Sequence, residues 1–327
     1  MKNRICFILL FLPLFTYCSY PLKNVYRTDV DYEEIKMRRL AEIKRSVLKV
    51  VCSAYYDNYY YKQPENNLES VEFEDLFIEK QMTTNSVSGS AVIIYKNPQK
   101  MLLLSCNHIF DFKDTIRVYY ADSLGIQTDN IQSVSIKYDQ RVFVNHRSGT
   151  RSIGHLLAYD KANDIALLET SNDENQLAEI PFEAFFKNKA DIRFGKEVYM
   201  IGYPKGFLSI ANGLVSASHY KNRFLISASF NRGFSGGLVI AFDKNSKSFQ
   251  YVGIANSMAY DSHFVLAPND NAVTSANFKD FPYTDEIYVK DLKLVSYGLT
   301  FGIKNDVIFD FIEREKEGLR LKGFLLP

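Results

Sequence analysis

The sequence predicts an all-β protein built from antiparallel strands. Residues 116–120 and 134–138 alternate apolar with polar side chains, which is typical of strands that have one face in water. Residues 101–106 and 165–168 are short apolar runs next to turn-forming residues, which is typical of buried strands. The chain has 327 residues, 46% of them hydrophobic, so it can form one large core or two smaller ones.

The composition argues against several classes of function. The formal net charge is +1, so the sequence predicts no basic field for nucleic acid or for a membrane surface. It also lacks paired C-x-x-C motifs, H-x-x-x-H zinc spacing and a phosphate-binding glycine loop. We therefore expect no metal, no cofactor and no nucleic-acid partner.

Residues 1–18 predict an export signal. Lys2 and Arg4 precede an apolar run at 5–15 that is short for a membrane span. Two outcomes are compatible with Cys18: cleavage and secretion, or lipidation of this cysteine as in a bacterial lipoprotein. Tyr17 favours cleavage, because a small residue normally precedes a lipidated cysteine; an uncleaved anchor is a third, less favoured alternative. The expected location is periplasmic or secreted, with lipoprotein anchoring as the alternative.

A charged leader at 19–46 follows, with helical spacing at 32–43. We expect this helix to pack on the domain with one solvated face; a stalk or an oligomerisation arm is the alternative, and the oligomeric state stays open. The first strand is predicted at 47–54, and the tyrosine-rich residues 55–84 are expected to form a loop. Residues 259–291, rich in Asn, Asp and Ser, are expected to form a second long insertion.

The last predicted element is an amphipathic helix at 306–317, with Asp306 as its N-cap, followed by a tail at 319–327. Cys52 and Cys106 both lie in apolar contexts, so buried free thiols are expected. A bridge between these two cysteines is the alternative if their strands pair.

A glycine-rich loop carries the first indication of chemistry. Ser235 follows Gly233 by two residues and is followed by Gly236 and Gly237. Glycine permits unusual backbone angles and leaves room for a substrate, so the amides of Gly233 and Ser235 can point at a developing oxyanion. Taken alone, this motif is equally compatible with a flexible turn.

A nucleophilic serine needs a base and a group that orients the base. Histidine is the usual base, because it titrates near neutrality. His108 directly follows the predicted buried strand at 101–106, whereas His146 and His219 lie in polar stretches and are expected at the surface. Asp164 comes just before the apolar run 165–168 and is the candidate carboxylate.

The chain order His108, Asp164, Ser235 is that of the chymotrypsin-type arrangement. On these residues the chain resembles the trypsin-like serine peptidases, and within them the HtrA (Deg) branch. The match spans about residues 46–316, and the segments that carry it are 88–94, 104–109, 163–168, 201–206, 213–216, 231–237, 252–256 and 297–303.

The resemblance implies a peptidase domain at 47–318 with the chymotrypsin fold. This fold has two six-stranded antiparallel β-barrels, here expected at about 47–180 and 190–305, with an N-terminal and a C-terminal helix. Only about ten residues follow the last predicted helix. The PDZ module common in HtrA proteins is therefore expected to be absent.

The implied function is that of an extracytoplasmic serine endopeptidase that acts on polypeptides in quality control or processing. Its triad would be His108, Asp164 and Ser235, and its oxyanion hole the amides of Gly233 and Ser235. The expected pocket walls, which predict an apolar side chain before the cleaved bond, are Phe230, Ile254 and Ala255.

Several positions depart from the family pattern: Leu238 and Arg232 are expected to be tolerated, Ser229 removes the acid that would mark a trypsin-like pocket, and Phe234 has the largest consequence. Phe234 stands where the family usually has Asn or Asp before the serine, so activation through a new N-terminus pairing with that acid is not expected. This departure motivates a rival hypothesis: a catalytically weak or inactive barrel that acts as a protein-binding or chaperone-like module.

Overall fold

The computed structural model describes residues 23–62, 77–122, 127–172, 179–190, 192–268 and 287–327. The predicted export signal and Cys18 lie outside these residues. The described helices are α1 (Lys23–Ile43), α2 (Ala184–Lys187) and α3 (Asn305–Leu321). None of them has a stretch that is both long and apolar enough to cross a membrane.

The first seven strands form one curved sheet. They are β1 (Val47–Tyr61), β2 (Phe77–Lys96), β3 (Lys100–Ser105), β4 (Thr115–Ala121), β5 (Gln127–Asn145), β6 (Arg151–Asp160) and β7 (Ile165–Ser171). The order is β1-β2-β3-β7-β6-β5-β4, and β1 also pairs with β5. Six strands therefore close into a barrel, and β4 lies on the outer edge of β5.

The remaining strands form a second closed barrel in the order β10-β13-β12-β11-β8-β9. They are β8 (Glu197–Gly202), β9 (Ser209–Ser216), β10 (Arg223–Ser227), β11 (Leu238–Asp243), β12 (Ser248–Pro268) and β13 (Ile287–Lys304). All pairings in both barrels are antiparallel. The prediction of an all-β fold with two six-stranded barrels is confirmed.

The main apolar core joins the two barrels. Buried side chains of β3, such as Leu103, share one cluster with Ile240 of β11 and with Ile308 of α3. A second cluster fills the inside of barrel two. Because burial of apolar area is the main stabilising term in folding, this shared core fixes the relative position of the barrel ends that carry the site.

Two segments expected as loops are partly strand. β1 continues to Tyr61 and pairs with β2 from Phe77, where the rings of Tyr59 and Phe77 lie 6.3 Å apart. Beyond barrel two, β12 and β13 continue as a two-stranded ribbon from the Ala259–Ser296 pair to the Pro268–Ile287 pair. Aromatic and β-branched residues favour such pairing, and this preference outweighed the polar composition of the segments.

The terminal helices both pack on the barrels. Leu40 of α1 is buried in the main core, and Lys36 Nζ lies 5.6 Å from the centre of the Tyr199 ring. Helix α3 was predicted at 306–317 but spans Asn305–Leu321, and its N-cap is Lys304 rather than Asp306. It ends only where Gly323 adopts a φ of +83° and donates its amide to Arg320 O at 2.9 Å, a left-handed C-terminal cap.

Candidate active site

Neighbouring strands bring His108 and Asp164 together. His108 lies in a 3₁₀ turn, Asn107–Ile109, directly after β3, and Asp164 directly precedes β7. β3 and β7 are antiparallel, with Ser105 paired to Ala166, so the end of one strand lies beside the start of the other. Two residues 56 positions apart therefore meet at the same edge of barrel one.

The Asp164 carboxylate holds His108 at two points. Its Oδ2 lies 2.7 Å from His108 Nδ1, and its Oδ1 accepts the His108 backbone amide at 2.7 Å. Asp164 adopts a φ of 60°, a left-handed conformation that Asp tolerates better than most residues. With a carboxylate at Nδ1, the neutral ring carries its proton there, and Nε2 is left as the acceptor.

Asn256 completes the hydrogen bonding of Asp164, and the sequence analysis did not identify it. Its Nδ2 donates to Asp164 Oδ2 at 2.5 Å. Ala255 pairs with Gly302 and Ser257 with Phe301, so Asn256 is the extra residue of a β-bulge in β12. Bulges re-aim side chains next to active sites. The only indication in the sequence was one polar residue at the end of an apolar run, which must find a partner when buried.

Ser235 belongs to the same hydrogen-bonded group. It lies in the turn between β10 and β11, and its Oγ donates to the backbone carbonyl of Asn256 at 3.0 Å. The amide of Gly236 donates to Ala255 O at 2.8 Å, which ties the turn to β12. Asn256 thus contacts Asp164 through its side chain and Ser235 through its carbonyl.

We call residues 231–237, which contain the predicted oxyanion hole, the oxyanion loop. Gly233 has a φ of +107°, and a Cβ atom there would lie 2.3 Å from the carbonyl oxygen of Tyr203. Only glycine fits both constraints. Ser90 Oγ accepts the Tyr203 amide at 2.8 Å and donates to Gly233 O at 2.7 Å. The amides of Gly233 and Ser235 donate to no other described residue, so both are available to a ligand.

The departure at Phe234 has a structural explanation. Its side chain is buried in the cluster inside barrel two, and its ring lies 5.8 Å from that of Phe230. A Cβ atom at Gly202 would lie 2.9 Å from Phe234 Cδ1, so the glycine leaves room for the ring. Phe234 therefore anchors the loop by apolar packing.

Two of the predicted pocket residues, Ile254 and Ala255, are hydrogen-bonded to neighbouring chain segments on both sides. Ile254 pairs with Leu238 on one side and with Ile303 on the other. The Ala255 amide and carbonyl are taken by Gly237 and Gly236 respectively. The backbone of Ile254 and Ala255 therefore has no free edge for a substrate; from Ser257 onward, β12 pairs only with β13 among the described residues.

The two body cysteines are free and buried, as expected. The Sγ of Cys106 lies within 4.8 Å of ligand atoms of His108 and Asp164, the one such trio among the described residues. Burial raises the pKa of Cys106 well above its usual range, and the charge of Asp164 raises it further. Because metal ions bind the thiolate, this trio is a poor metal site.

The expectation that His146 lies at the surface is wrong. The side chain is buried, its Nε2 lies 2.7 Å from Ser152 Oγ, and its Nδ1 is 4.0 Å from the equally buried carboxylate of Glu179. The residues next to His146 in the sequence are polar and suggested exposure. Its partner Glu179 lies 33 positions later and could not be identified from the local sequence. His219, by contrast, is exposed as expected.

Part of the chain is similar to a known protein family. Residues 89–247 match the family model described as a trypsin-like peptidase domain. A serine endoprotease from Yersinia pestis has 16% identity and a TM-score of 0.44, covering 86% of this chain and 65% of its own. The HtrA-type protease AlgW with a decapeptide has 17% identity and a TM-score of 0.45, covering 88% of this chain and 67% of its own.

The chain thus spans about two thirds of the length of these solved structures. No curated protein matches the sequence at a significant level. The family model covers the segment that contains the histidine turn, the carboxylate strand and the serine loop. The part of the chain that holds the candidate site is therefore similar to a trypsin-like peptidase domain.

Proposed function

We propose that the protein is a serine endopeptidase in which Ser235 is the nucleophile, His108 the general base and Asp164 the orienting carboxylate. The observation that carries this proposal is the hydrogen-bonded group around Asn256. The Asp164 carboxylate is bonded to His108 Nδ1 at 2.7 Å, and Asn256 links it to the Ser235 hydroxyl.

In the proposed mechanism, rotation about the Cα–Cβ bond of Ser235 turns Oγ from the Asn256 carbonyl to His108 Nε2. Oγ then attacks the peptide carbonyl while His108 takes the proton, and His108 returns it to the leaving amine. Water attacks the acyl-enzyme in the same way and releases the acid. Asp164 keeps the Nδ1 proton in place and stabilises the imidazolium.

The free amides of Gly233 and Ser235 are the proposed oxyanion hole. The carbonyl groups of the same two residues are bonded to Ser90: Gly233 O accepts a hydrogen bond from Ser90 Oγ at 2.7 Å, and Ser235 O accepts one from the Ser90 amide at 2.8 Å. Loss of one such donor typically lowers turnover by about 10²–10³.

We propose that the polypeptide substrate adds to the edge of β12 from Ser257 onward, a form of β-augmentation. The residue before the cleaved bond would then face the apolar cluster that contains Phe230 and Ala255, which favours an apolar side chain there. Ile254 belongs to the other cluster and supports the strand from behind.

A fluorophosphonate probe tests the nucleophile directly. The wild-type protein is expected to be labelled once, and Ser235→Ala is expected to abolish labelling. Ser216→Ala is a matched control, because Ser216 is also hydrogen-bonded, to Ser227 Oγ at 2.8 Å, but lies outside the site. Labelling that survives in Ser235→Ala would contradict the assignment.

One observation favours a second candidate function, a weakly active barrel that binds proteins. Ser235 Oγ donates to Asn256 O, and no hydrogen bond between Ser235 and His108 is present among the described contacts. Under this alternative, the folded wild-type protein stays unlabelled even at millimolar concentrations of the probe. It still binds unstructured peptides of defined sequence in a pull-down experiment.

The finer assignments are also proposals. The ordered segments from 88–94 to 297–303 favour the HtrA (Deg) branch, and the residues at 1–18 favour export, with work in quality control or processing. Mass spectrometry of the mature N-terminus separates plain cleavage from lipidation at Cys18. A mature protein that retains residues 1–18 and fractionates with the cytoplasm would contradict export.

A further inference from the structure

A basic cleft lies where the two barrels meet, on the side of Tyr203. It has a volume of about 420 Å³ and is lined by three basic side chains, Lys49, Arg147 and Arg151. Tyr203 and Gly206 of the turn after β8 form another wall. No acidic residue of the described part of the chain lines this cleft.

The three cations have no carboxylate partner within ion-pair distance among the described residues. Arg151 is held in place instead by neutral groups: its Nε donates to Asn145 Oδ1 at 3.0 Å, and its guanidinium lies 5.3 Å from the centre of the Phe143 ring. Like charges converging without a counterion repel, so a bound anion is favourable here.

The carboxylate of Glu179, close to the cleft, already has other partners. Glu179 Oε1 accepts the Arg147 backbone amide at 3.3 Å, and Oε2 lies 4.0 Å from His146 Nδ1. Glu179 is buried and is not a lining residue of the cleft. It therefore orders the β5–β6 turn that presents Arg147, whose side chain is hydrogen-bonded to Tyr203, but it forms no ion pair with the three cations.

The turn that forms this wall is hydrogen-bonded to the oxyanion loop, through Ser90 and through the Lys205 amide. The Tyr203 amide donates to Ser90 Oγ at 2.8 Å, and Ser90 Oγ donates to Gly233 O at 2.7 Å. The Lys205 amide donates to Arg232 O at 2.9 Å. Lys205 has a φ of 51°, a left-handed conformation that costs a residue with a side chain free energy, so this turn needs support from its neighbours.

We propose that the basic cleft binds a small polyanion, carrying phosphate or carboxylate groups, and that the bound anion stabilises the Tyr203–Gly206 turn and thereby the oxyanion loop. Guanidinium and ammonium groups form charge-assisted hydrogen bonds with both kinds of anion. A volume of about 420 Å³ accommodates two or three such groups. Only the effect on catalysis rests on the proposed function; binding itself does not.

Binding is tested by calorimetry on the full-chain Ser235→Ala protein. Inorganic pyrophosphate and citrate are titrated separately at low ionic strength, which distinguishes phosphate from carboxylate recognition. We expect saturable binding of one anion per chain, weakened at least tenfold by Lys49→Gln with Arg151→Gln. The control pair Lys113→Gln with Arg117→Gln removes the same charge from exposed positions in and just before β4. Equal weakening in both pairs, or no saturable binding of either anion, overturns the proposal.

Coupling to the loop has two readouts. Hydrogen exchange of amides in residues 231–237 should slow in Ser235→Ala when the anion binds, and fluorophosphonate labelling of the wild type should speed up severalfold. Binding with unchanged exchange overturns the coupling. If binding and exchange behave as expected while the wild type is never labelled, the proposed peptidase function fails and the anion site stands.

Discussion

Asn256 donates a hydrogen bond of 2.5 Å to the Asp164 carboxylate, and its own carbonyl accepts the Ser235 hydroxyl. One residue thereby contacts both the proposed nucleophile and the group that orients the base. The contact depends on the β-bulge in β12, because a regular strand would place the neighbouring side chains on other faces.

We predict that Asn256→Ala slows fluorophosphonate labelling of Ser235 by about 10–100-fold, because a hydrogen bond to a charged group contributes about 1.5–3 kcal/mol. Asn256→Asp should slow it further, since a second carboxylate would face Asp164. The matched control is Asn222→Ala, which removes a 2.7 Å hydrogen bond to Asn163 Oδ1 next to Asp164. Equal effects of the two alanine variants would show that Asn256 acts only through general stability.

A site residue could be predicted from the sequence when its neighbours along the chain show its structural setting, and could not when distant residues decide that setting. His108, Asp164 and Gly233 each have local evidence in the sequence, a strand end or a glycine-rich turn, so they could be selected as candidates before their contacts were known. Asn256 has no such local evidence. Its position depends on a bulge whose existence is decided by pairing with β13, more than forty residues later.

The same reasoning explains why the burial of His146 and the β12–β13 ribbon were not predicted from the sequence. The polar neighbours of His146 in sequence suggested solvent, but its real partners come from β6 and from Glu179. In the segment after Ala259, polar composition suggested a loop, although the pairing of β12 with β13 satisfies the backbone. A polar composition predicts solvent exposure of a segment well only when the segment has no hydrogen-bonding partner elsewhere in the fold.

The buried thiols should be unreactive in the native protein. Burial raises the pKa of Cys52 to about 11, against the opposing effects of the Gln140 hydrogen bond and the Lys137 charge. The thiolate is the reactive form, so at pH 8 only about one thiol in 10³ is ionised. In a Cys6→Ser, Cys18→Ser variant, we expect no reaction with a disulfide reagent at pH 8 until denaturant is added, when both remaining thiols react. Fast modification of either in native protein would contradict this.

An ion pair ties helix α3 to the turn that carries Asp164. Arg314 Nη2 lies 2.8 Å from Asp160 Oδ2, and Asn163 donates to the same carboxylate through its amide and side chain. Partial burial raises the pKa of Asp160, but the hydrogen bonds from Asn163 and the charge of Arg314 outweigh it, so the pKa is lower than usual.

A lowered carboxyl pKa stabilises the fold above the ordinary value of about 3.9, and this contribution is lost as the pH falls through the folded-state value. We predict that Asp160→Asn lowers the free energy of unfolding by about 1–2 kcal/mol at pH 7. The difference from wild type should shrink progressively as the pH falls below the ordinary carboxyl pKa of about 3.9 and through the lower folded-state value. Urea unfolding at several pH values measures this, and a difference that is constant with pH would contradict it.

The last prediction separates backbone strain from the chemistry of the oxyanion loop. Gly233 and Gly195 both have positive φ, +107° and +79°, but a Cβ atom at Gly233 would lie 2.3 Å from Tyr203 O, whereas nothing lies within 4 Å of one at Gly195. An alanine at either position must adopt an unfavourable positive φ, which costs on the order of 1 kcal/mol or more. Only Gly233→Ala must also move the loop and its amides.

We therefore expect Gly233→Ala to slow Ser235 labelling by about 10²–10³, the usual effect of losing one oxyanion donor, in protein that remains folded. Gly195→Ala should lower the unfolding midpoint slightly and leave the labelling rate within about twofold of wild type, because its side chain meets no neighbour. Circular dichroism and labelling rates measured on both variants test this. If Gly233→Ala is labelled as fast as Gly195→Ala, the amide of Gly233 does not stabilise the transition state.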